Sequence, residues 1–209
     1  MPSKYVIGSG ALLEWAMAAW TEAAPEETLH PLDVVQDGNY TFDLSALNGI
    51  SPADATAFVA WGPQFLNFRR LELMGEFKTR GFKLPPLICR TAVVAPGVSI
   101  GENCAIGAAA VISHGCKIGF NSHIGDGVVV GSGAQVGSST WIADGVQIGS
   151  TARIGNNATL GLGVLISEGL TIGRQCILDR PGMQLKPLAD KTFVTTAFPT
   201  GVFVIDNGI

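Results

Sequence analysis

The chain has 209 residues, 13 Lys and Arg against 17 Asp and Glu, a formal net charge of -4, and 47% hydrophobic but only 14% charged residues. That length admits one ordinary domain plus a smaller one, and scattered cations under a net negative charge argue against a nucleic-acid or anionic-membrane surface. The opening stretch MPSKYVIGSGALLEWAMAAW is interrupted by Gly8, Ser9, Gly10 and Glu14, too broken for a bilayer span and poor as a signal peptide, so a cytoplasmic protein is expected.

In chain order, KYVIGSG predicts a buried strand running into a glycine turn, and ALLEWAMAAW the helix that follows. A second strand is expected at LDVVQDG and a third at TAFVAWG. Helical spacing then runs over QFLNFRRLELMGEFKTRGF and ends at Gly81, before a KLPPLI linker. Strand, glycine turn and helix suit the start of a nucleotide-binding βαβ unit, with the phosphate at the helix N-terminus. The full glycine fingerprint is absent, because Leu13 stands where its third glycine would be. Gly8, Ser9 and Gly10 therefore read equally well as a plain strand-to-helix turn.

Residues 88–177 divide into fifteen uninterrupted hexads, from ICRTAV and VAPGVS to IGRQCI. The first position is always Ile, Val or Leu, the second is Gly in ten hexads, and the fifth is always small or aliphatic. A period of six over this length cannot come from α-helix periodicity. It predicts short strands joined by tight corners, three hexads to a triangular coil, with first and fifth positions filling the interior. Glycine at the second position is expected to relieve backbone strain near the corner. The fold expected is mainly β, a left-handed parallel β-helix of five coils preceded by a small Rossmann-like α/β domain. The boundaries expected are 1–84 for the α/β domain, 85–177 for the β-helix and 178–209 for a C-terminal cap that leaves the register and includes a strand-like GVFVID.

Cys104, Cys116 and Cys176 fall at the inward fifth position, and with Cys89 they show no metal-type spacing, so free thiols used as small filler are expected. Of three histidines, His30 lies in a proline-flanked polar stretch. His114 and His123 stand outward on the coils nine residues apart, half a coil, and so on opposite sides of one rod. Three rods around a threefold axis would bring His114 of one toward His123 of the next. An imidazole suits the base that acyl transfer requires. Trp141 lies one coil above His123, where it would pack at a subunit interface or wall a ligand arm. Asp126 and Asp144 stack on one edge, and Lys117 and Arg153 could meet phosphates. Two coil histidines are too few for the three-histidine zinc site of hydratases on this scaffold, and no metal is expected.

The run AAVISHGCKIGFNSHIGDGVVVGSGAQVG resembles bacterial sugar-nucleotide acyltransferases, the nucleotide-4-amino-sugar N-acetyltransferases and sialic-acid O-acetyltransferase-like proteins. The resemblance covers nearly the whole chain, including domain order. It implies a cytoplasmic homotrimer with active sites between subunits, acetyl-CoA as co-substrate, and a nucleotide-linked amino sugar destined for a surface glycan as acceptor. By position it makes His114 the catalytic base and His123 the group that hydrogen-bonds the thioester region, with Ala143 and Asp144 toward acetyl-CoA. Gly8, Ser9 and Gly10 correspond to the phosphate-side turn, Asp37 to an acidic pair after the second strand, and Gly62-Pro63 to the turn after the third. The chain departs from the family in three places: Gly115 follows His114 where an acidic residue is usual, Leu12 replaces a histidine of the glycine turn, and FPTGVFVIDNG replaces the usual C-terminal signature. O-acylation, transfer of another acyl group, or a silent sugar-nucleotide binder stay open as alternatives.

Overall fold

The computed structural model describes residues 3–53 and 55–204. It opens with β1 (Ser3–Gly8), α1 (Gly10–Ala23), β2 (Thr28–Asp33), β3 (Ala55–Ala60) and α2 (Phe68–Thr79). The strands form a three-stranded parallel sheet in the order β2-β1-β3, with Gly8 opposite both Asp33 and Ala60. All three strands therefore end at one edge of the sheet.

Two elements differ from the sequence expectation. The second strand lies at 28–33 rather than over LDVVQDG; Pro31 argues against a central strand, but β2 is an edge strand, where a missing N–H is tolerated. The helix expected from residue 64 begins at Phe68, because Phe65, Leu66 and Asn67 all take left-handed φ values of 48°, 55° and 66°.

From Leu87 onward the chain is a parallel β-solenoid with three faces, and a left-handed winding is consistent with its hexapeptide register. The first face stacks strands that include Ala105–Ile106, His123–Ile124, Trp141–Ile142 and Thr159–Leu160. The second includes Val93–Val94, Val111–Ile112, Val129–Val130 and Gln147–Ile148; the third includes Ser99–Ile100, Lys117–Ile118, Gln135–Val136 and Arg153–Ile154. Partners are eighteen residues apart: Ile118 pairs with both Ile100 and Val136. The aliphatic first positions and most of the small fifth positions form one continuous core. Where the fifth position is Ser122 or Thr140, the two buried hydroxyls lie 3.0 Å apart and both within reach of the Gly137 carbonyl, so one can donate to the carbonyl and the other to its fellow hydroxyl.

The glycines have a different reason from the one expected. A Cβ at any of the ten second-position glycines would stand 2.2–2.6 Å from atoms of the next coil, as Gly125 does toward Asp144 Oδ1 at 2.4 Å. Close stacking of coils, not strain, demands Gly there. In every hexad after the first, the fourth position is left-handed, held by Gly115 and Gly127 but also by Asn103, Asn121 and Ser139.

Strand pairing continues past residue 177. Leu165 pairs with Met183 in the eighteen-residue register, after which the coil shortens, so that Ile177 pairs with Phe193, sixteen residues on. Of the strand expected at GVFVID, Val202–Phe203 pairs antiparallel with Thr192–Phe193, and Ile205 and Asp206 lie outside the described residues.

Helix α1 is sandwiched between the small sheet and the solenoid. Leu13, Ala16 and Trp20 share a core with Val6 and Phe58 on one side and with Leu87 and Ala105 of the first face on the other. Helix α2 packs on the opposite side of the sheet through Leu73, Met74 and Phe77.

Candidate active site

Docking of α1 against the first face builds a cleft of about 390 Å³ lined by Leu12, Trp15, His123, Asp126, Trp141, Ala143, Asp144 and Leu162. It unites all four residues expected toward acetyl-CoA, Trp141 from its spacing and the other three from the resemblance. His123 and Trp141 are register partners on adjacent strands, and their rings stack with centroids 3.9 Å apart at 11°. Trp15 of α1 meets the imidazole edge-on at 5.6 Å.

His123 projects away from the solenoid interior, as the register requires, yet it is only 8% exposed because α1 roofs it. Burial, and secondarily the positive charge of Arg70, push its pKa down to about 3. The ring is therefore neutral across the working pH range. Among the described residues neither ring nitrogen has a hydrogen-bond partner, so the imidazole offers a donor and an acceptor to whatever enters the cleft.

Asp126 and Asp144 stand at the corner between the first and second faces. Each uses Oδ1 to accept an N–H from the coil before it: Ala108 to Asp126 at 2.7 Å, and Asp126 to Asp144 at 2.9 Å. The stacked carboxylates are thus turn caps with their second oxygens toward solvent.

His114 is elsewhere. It sits exposed at the corner between the second and third faces, with Nδ1 3.3 Å from the Pro96 carbonyl one coil before. A carbonyl can only accept, so this contact places the proton on Nδ1 and leaves Nε2 as the basic atom. Gly115, at φ 75°, has no side chain to add a carboxylate, and among the described residues none bonds the ring. Lys117 and Arg153 lie on the third face, where Arg153 reaches Gln135 at 3.2 Å.

The glycine turn lies at the C-terminal edge of the small sheet. A Cβ at Gly8 would meet the Ala60 carbonyl oxygen at 2.2 Å, Ser9 is the extended N-cap of α1, and Gly10 takes φ 55°. The loops after β2 and β3 carry Asp37 and Gly62-Pro63. Asp37 Oδ1 accepts the N–H groups of Asn39 and Thr41, both at 2.8 Å, so one of its oxygens is committed to its own turn.

Arg70 was not legible as part of this arrangement. It is 2% exposed, and its guanidinium donates to the carbonyls of Asn103 at 2.9 Å, Val59 at 3.4 Å and Asn121 at 2.5 Å. Burial pushes its pKa down to about 10. With Asn103, whose Oδ1 accepts the Val59 N–H at 2.8 Å, it locks β3 and α2 to the solenoid and so fixes α1 over His123. Among the described residues no group of three or more His, Cys, Asp and Glu is arranged to hold a metal ion, and no helix is long and apolar enough to cross a membrane.

A family model described as the hexapeptide repeat of succinyl-transferase matches residues 97–132 and 151–179. No curated protein sequence matches the chain. Among solved structures, a histidine-to-asparagine mutant of perosamine N-acetyltransferase from Caulobacter crescentus, in complex with CoA and GDP-perosamine, has a TM-score of 0.81 at 24% identity, covering 99% of this chain and 98% of that one. The acetyltransferase domain of PglB from Neisseria gonorrhoeae gives 0.57 at 23% identity, covering 98% and 100%. WeeI from Acinetobacter baumannii gives 0.65 at 16%, covering 97% and 100%. The chain carries hexapeptide repeats over the matched residues and shares its fold, end to end, with these structures.

Proposed function

We propose that the protein transfers the acetyl group of acetyl-CoA to the amine of a nucleotide-linked sugar, at centres formed between the copies of a homotrimer. The observation that carries this reading is the cleft itself, where one helix links a glycine turn suited to phosphate with a solenoid wall bearing an unpartnered, neutral His123. The structures similar in fold include one solved with CoA and GDP-perosamine, which agrees with it.

The N-terminal unit is read as a small Rossmann-like domain, residues 1–84. Its nucleotide would lie at the shared C-terminal edge of the three strands, the phosphates on Gly8, Ser9 and Gly10, and the rest between the loops of Asp37 and Gly62-Pro63. The β-helix, residues 85–177, would hold acetyl-CoA, and residues 178–209 would close its far end. The second face favours self-association: its outward row runs Val93, Val111, Val129, Gln147 and Leu165 to Met183, with Val93 60% and Met183 63% exposed. If this face turns to a threefold axis, the corner bearing His114 in one copy adjoins the corner bearing Asp126 and Asp144 in the next.

In that arrangement His114 Nε2 takes the proton of the attacking amine. His123 hydrogen-bonds the thioester region, and Trp141, Ala143 and Asp144 line the path of the pantetheine arm. Leu12, in place of a polar residue beside the glycine turn, makes the cleft wall apolar and bears on which sugar fits. A cytoplasmic place in the building of a bacterial surface glycan follows from such a donor and acceptor. The test is thiol release from acetyl-CoA with a panel of nucleotide-linked amino sugars, beside the solution mass. Turnover with an amino sugar in a trimer is the result expected; a stable monomer, or no thiol release with any of them, overturns the reading.

A further inference from the structure

Among the described residues of its own chain His114 has no carboxylate partner and is held by the Pro96 carbonyl alone, at 3.3 Å through Nδ1. Its Nε2, without a hydrogen-bond partner among the described residues, belongs to an exposed side chain at the corner. The cleft on the other edge of the same face has the opposite incompleteness. It contains a buried imidazole with no hydrogen-bond partner, and a carboxylate with one oxygen committed to the Ala108 N–H and the other without a partner among the described residues.

We propose that Asp126 of one copy completes the reaction centre around His114 of the next, accepting a hydrogen bond from the acceptor amine and holding it in line with Nε2. The inference rests on the trimer and activity proposed above, and names the residue that selects an amine over a hydroxyl. Height along the rod chooses between the two stacked carboxylates. Coils rise roughly 4.8 Å for eighteen residues, so Asp126, twelve residues beyond His114, lies only about 3 Å higher, whereas Asp144 lies about 8 Å higher. Copies related by a threefold axis parallel to the rods keep these heights, so Asp126 stands within about 3 Å of the level of its neighbour's His114, within reach of a shared substrate amine, and Asp144 does not.

The chemistry needs both groups. The neutral amine attacks the thioester carbonyl and the C–N bond forms. The intermediate nitrogen carries positive charge, which the Asp126 carboxylate stabilises while one N–H proton passes to Nε2 of His114. The C–S bond then breaks, and the coenzyme leaves as a thiolate that takes up this proton, leaving His114 neutral. A hydroxyl acceptor develops no such positive charge, so the carboxylate favours amines.

Two measurements on the full-length chain test this. In a variant carrying both His114→Cys and Asp126→Cys, a short bifunctional thiol reagent is expected to give covalent dimers and trimers on a denaturing gel. The four native cysteines are buried and give little background. Absence of interchain products overturns the proposal, whatever the activity. Asp126→Asn preserves the turn cap, since Asn156 caps the Ser138 N–H in the same way at 3.0 Å. It is expected to lose roughly 10- to 100-fold in kcat/KM for the amine acceptor, with partial return in Asp126→Glu and little change in the KM for acetyl-CoA. Wild-type kcat/KM for the acceptor in Asp126→Asn overturns the proposal too. Failure of the unmutated protein to release thiol with any amine, alongside positive cross-linking, removes the activity and with it the role of Asp126, leaving only the contact between copies.

Discussion

The imidazole of His123 lies flat on the indole of Trp141, centroids 3.9 Å apart, because residues eighteen apart are register partners on the first face. With Trp15 closing over it, the ring is buried and its pKa falls to about 3, whereas in the unfolded chain it returns to 6.5. Between these values the unfolded state binds the extra proton, so stability drops as pH falls below 6.5 and the loss is complete near 3. The slope contributed is at most about 1.4 kcal/mol per pH unit. Urea midpoints at pH 7, 6, 5 and 4 should decline accordingly. His123→Phe, which keeps a ring on Trp141, should flatten the decline between pH 6 and 5, before most carboxylates titrate; an unchanged slope in that interval would remove His123 as its source.

Arg70 joins the two halves by the same logic of burial. Arg70→Met keeps the stem but leaves the carbonyls of Asn103, Asn121 and Val59 without their shared donor. The expected loss is roughly 3 kcal/mol or more in denaturant unfolding. Arg70→Lys should recover only part of it, because an ammonium cannot reproduce the planar fork. Loss of the cation also lets the His123 pKa rise, which an NMR titration of the variant would show.

The solenoid was legible because its rule is local: every first position is aliphatic, and the interior follows from the period alone. Ile100, Ile118 and Val136 do stack as partners. Elements whose placement depends on contacts far along the chain were not legible. β2 was displaced because Pro31 disguises an edge strand, and Val34 and Val35 mimic a strand centre beyond its end. Nothing in the sequence distinguishes Arg70 from its neighbour Arg69; only docking of α2, which brings Arg70 to Asn121, separates the buried one from the other. The burial of His123 was hidden for the same reason, since its roof is a helix roughly a hundred residues earlier in the chain. The outward stance of His114 and the stacking of Trp141 on His123 follow from the repeat, whereas the wall that Leu12 and Trp15 of α1 add to the cleft does not.

The two kinds of glycine should respond oppositely to substitution. Gly125→Ala places a methyl 2.4 Å from Asp144 Oδ1 and 2.7 Å from the Asp144 nitrogen, so the coils must separate. Several kcal/mol of destabilisation, or failure to fold, is the expected outcome. Gly115→Asn occupies a left-handed position that Asn103 and Asn121 already hold elsewhere, and its Cβ would have Gly133 Cα at 3.7 Å as its nearest neighbour. Its loss should stay within about 1 kcal/mol. Equal unfolding midpoints for the two variants would refute close coil stacking as the reason for the second-position glycine.

His114→Ala isolates chemistry from folding. The side chain is exposed and its one contact is a hydrogen bond to the Pro96 carbonyl, so thermal unfolding and solution mass should match the unmutated protein. If His114 is the base proposed above, its removal should lower turnover by roughly 10²- to 10⁴-fold while the KM for acetyl-CoA stays near its original value, since the cleft of His123 and Trp141 is untouched. His114→Gln, which can still donate to the Pro96 carbonyl but cannot take a proton, should be equally slow. Turnover in the Gln variant approaching that of the unmutated protein would mean that the corner orients a substrate without accepting its proton, and the base would have to be sought elsewhere. His123 could not replace it, because its neutral ring is too weak a base near pH 7.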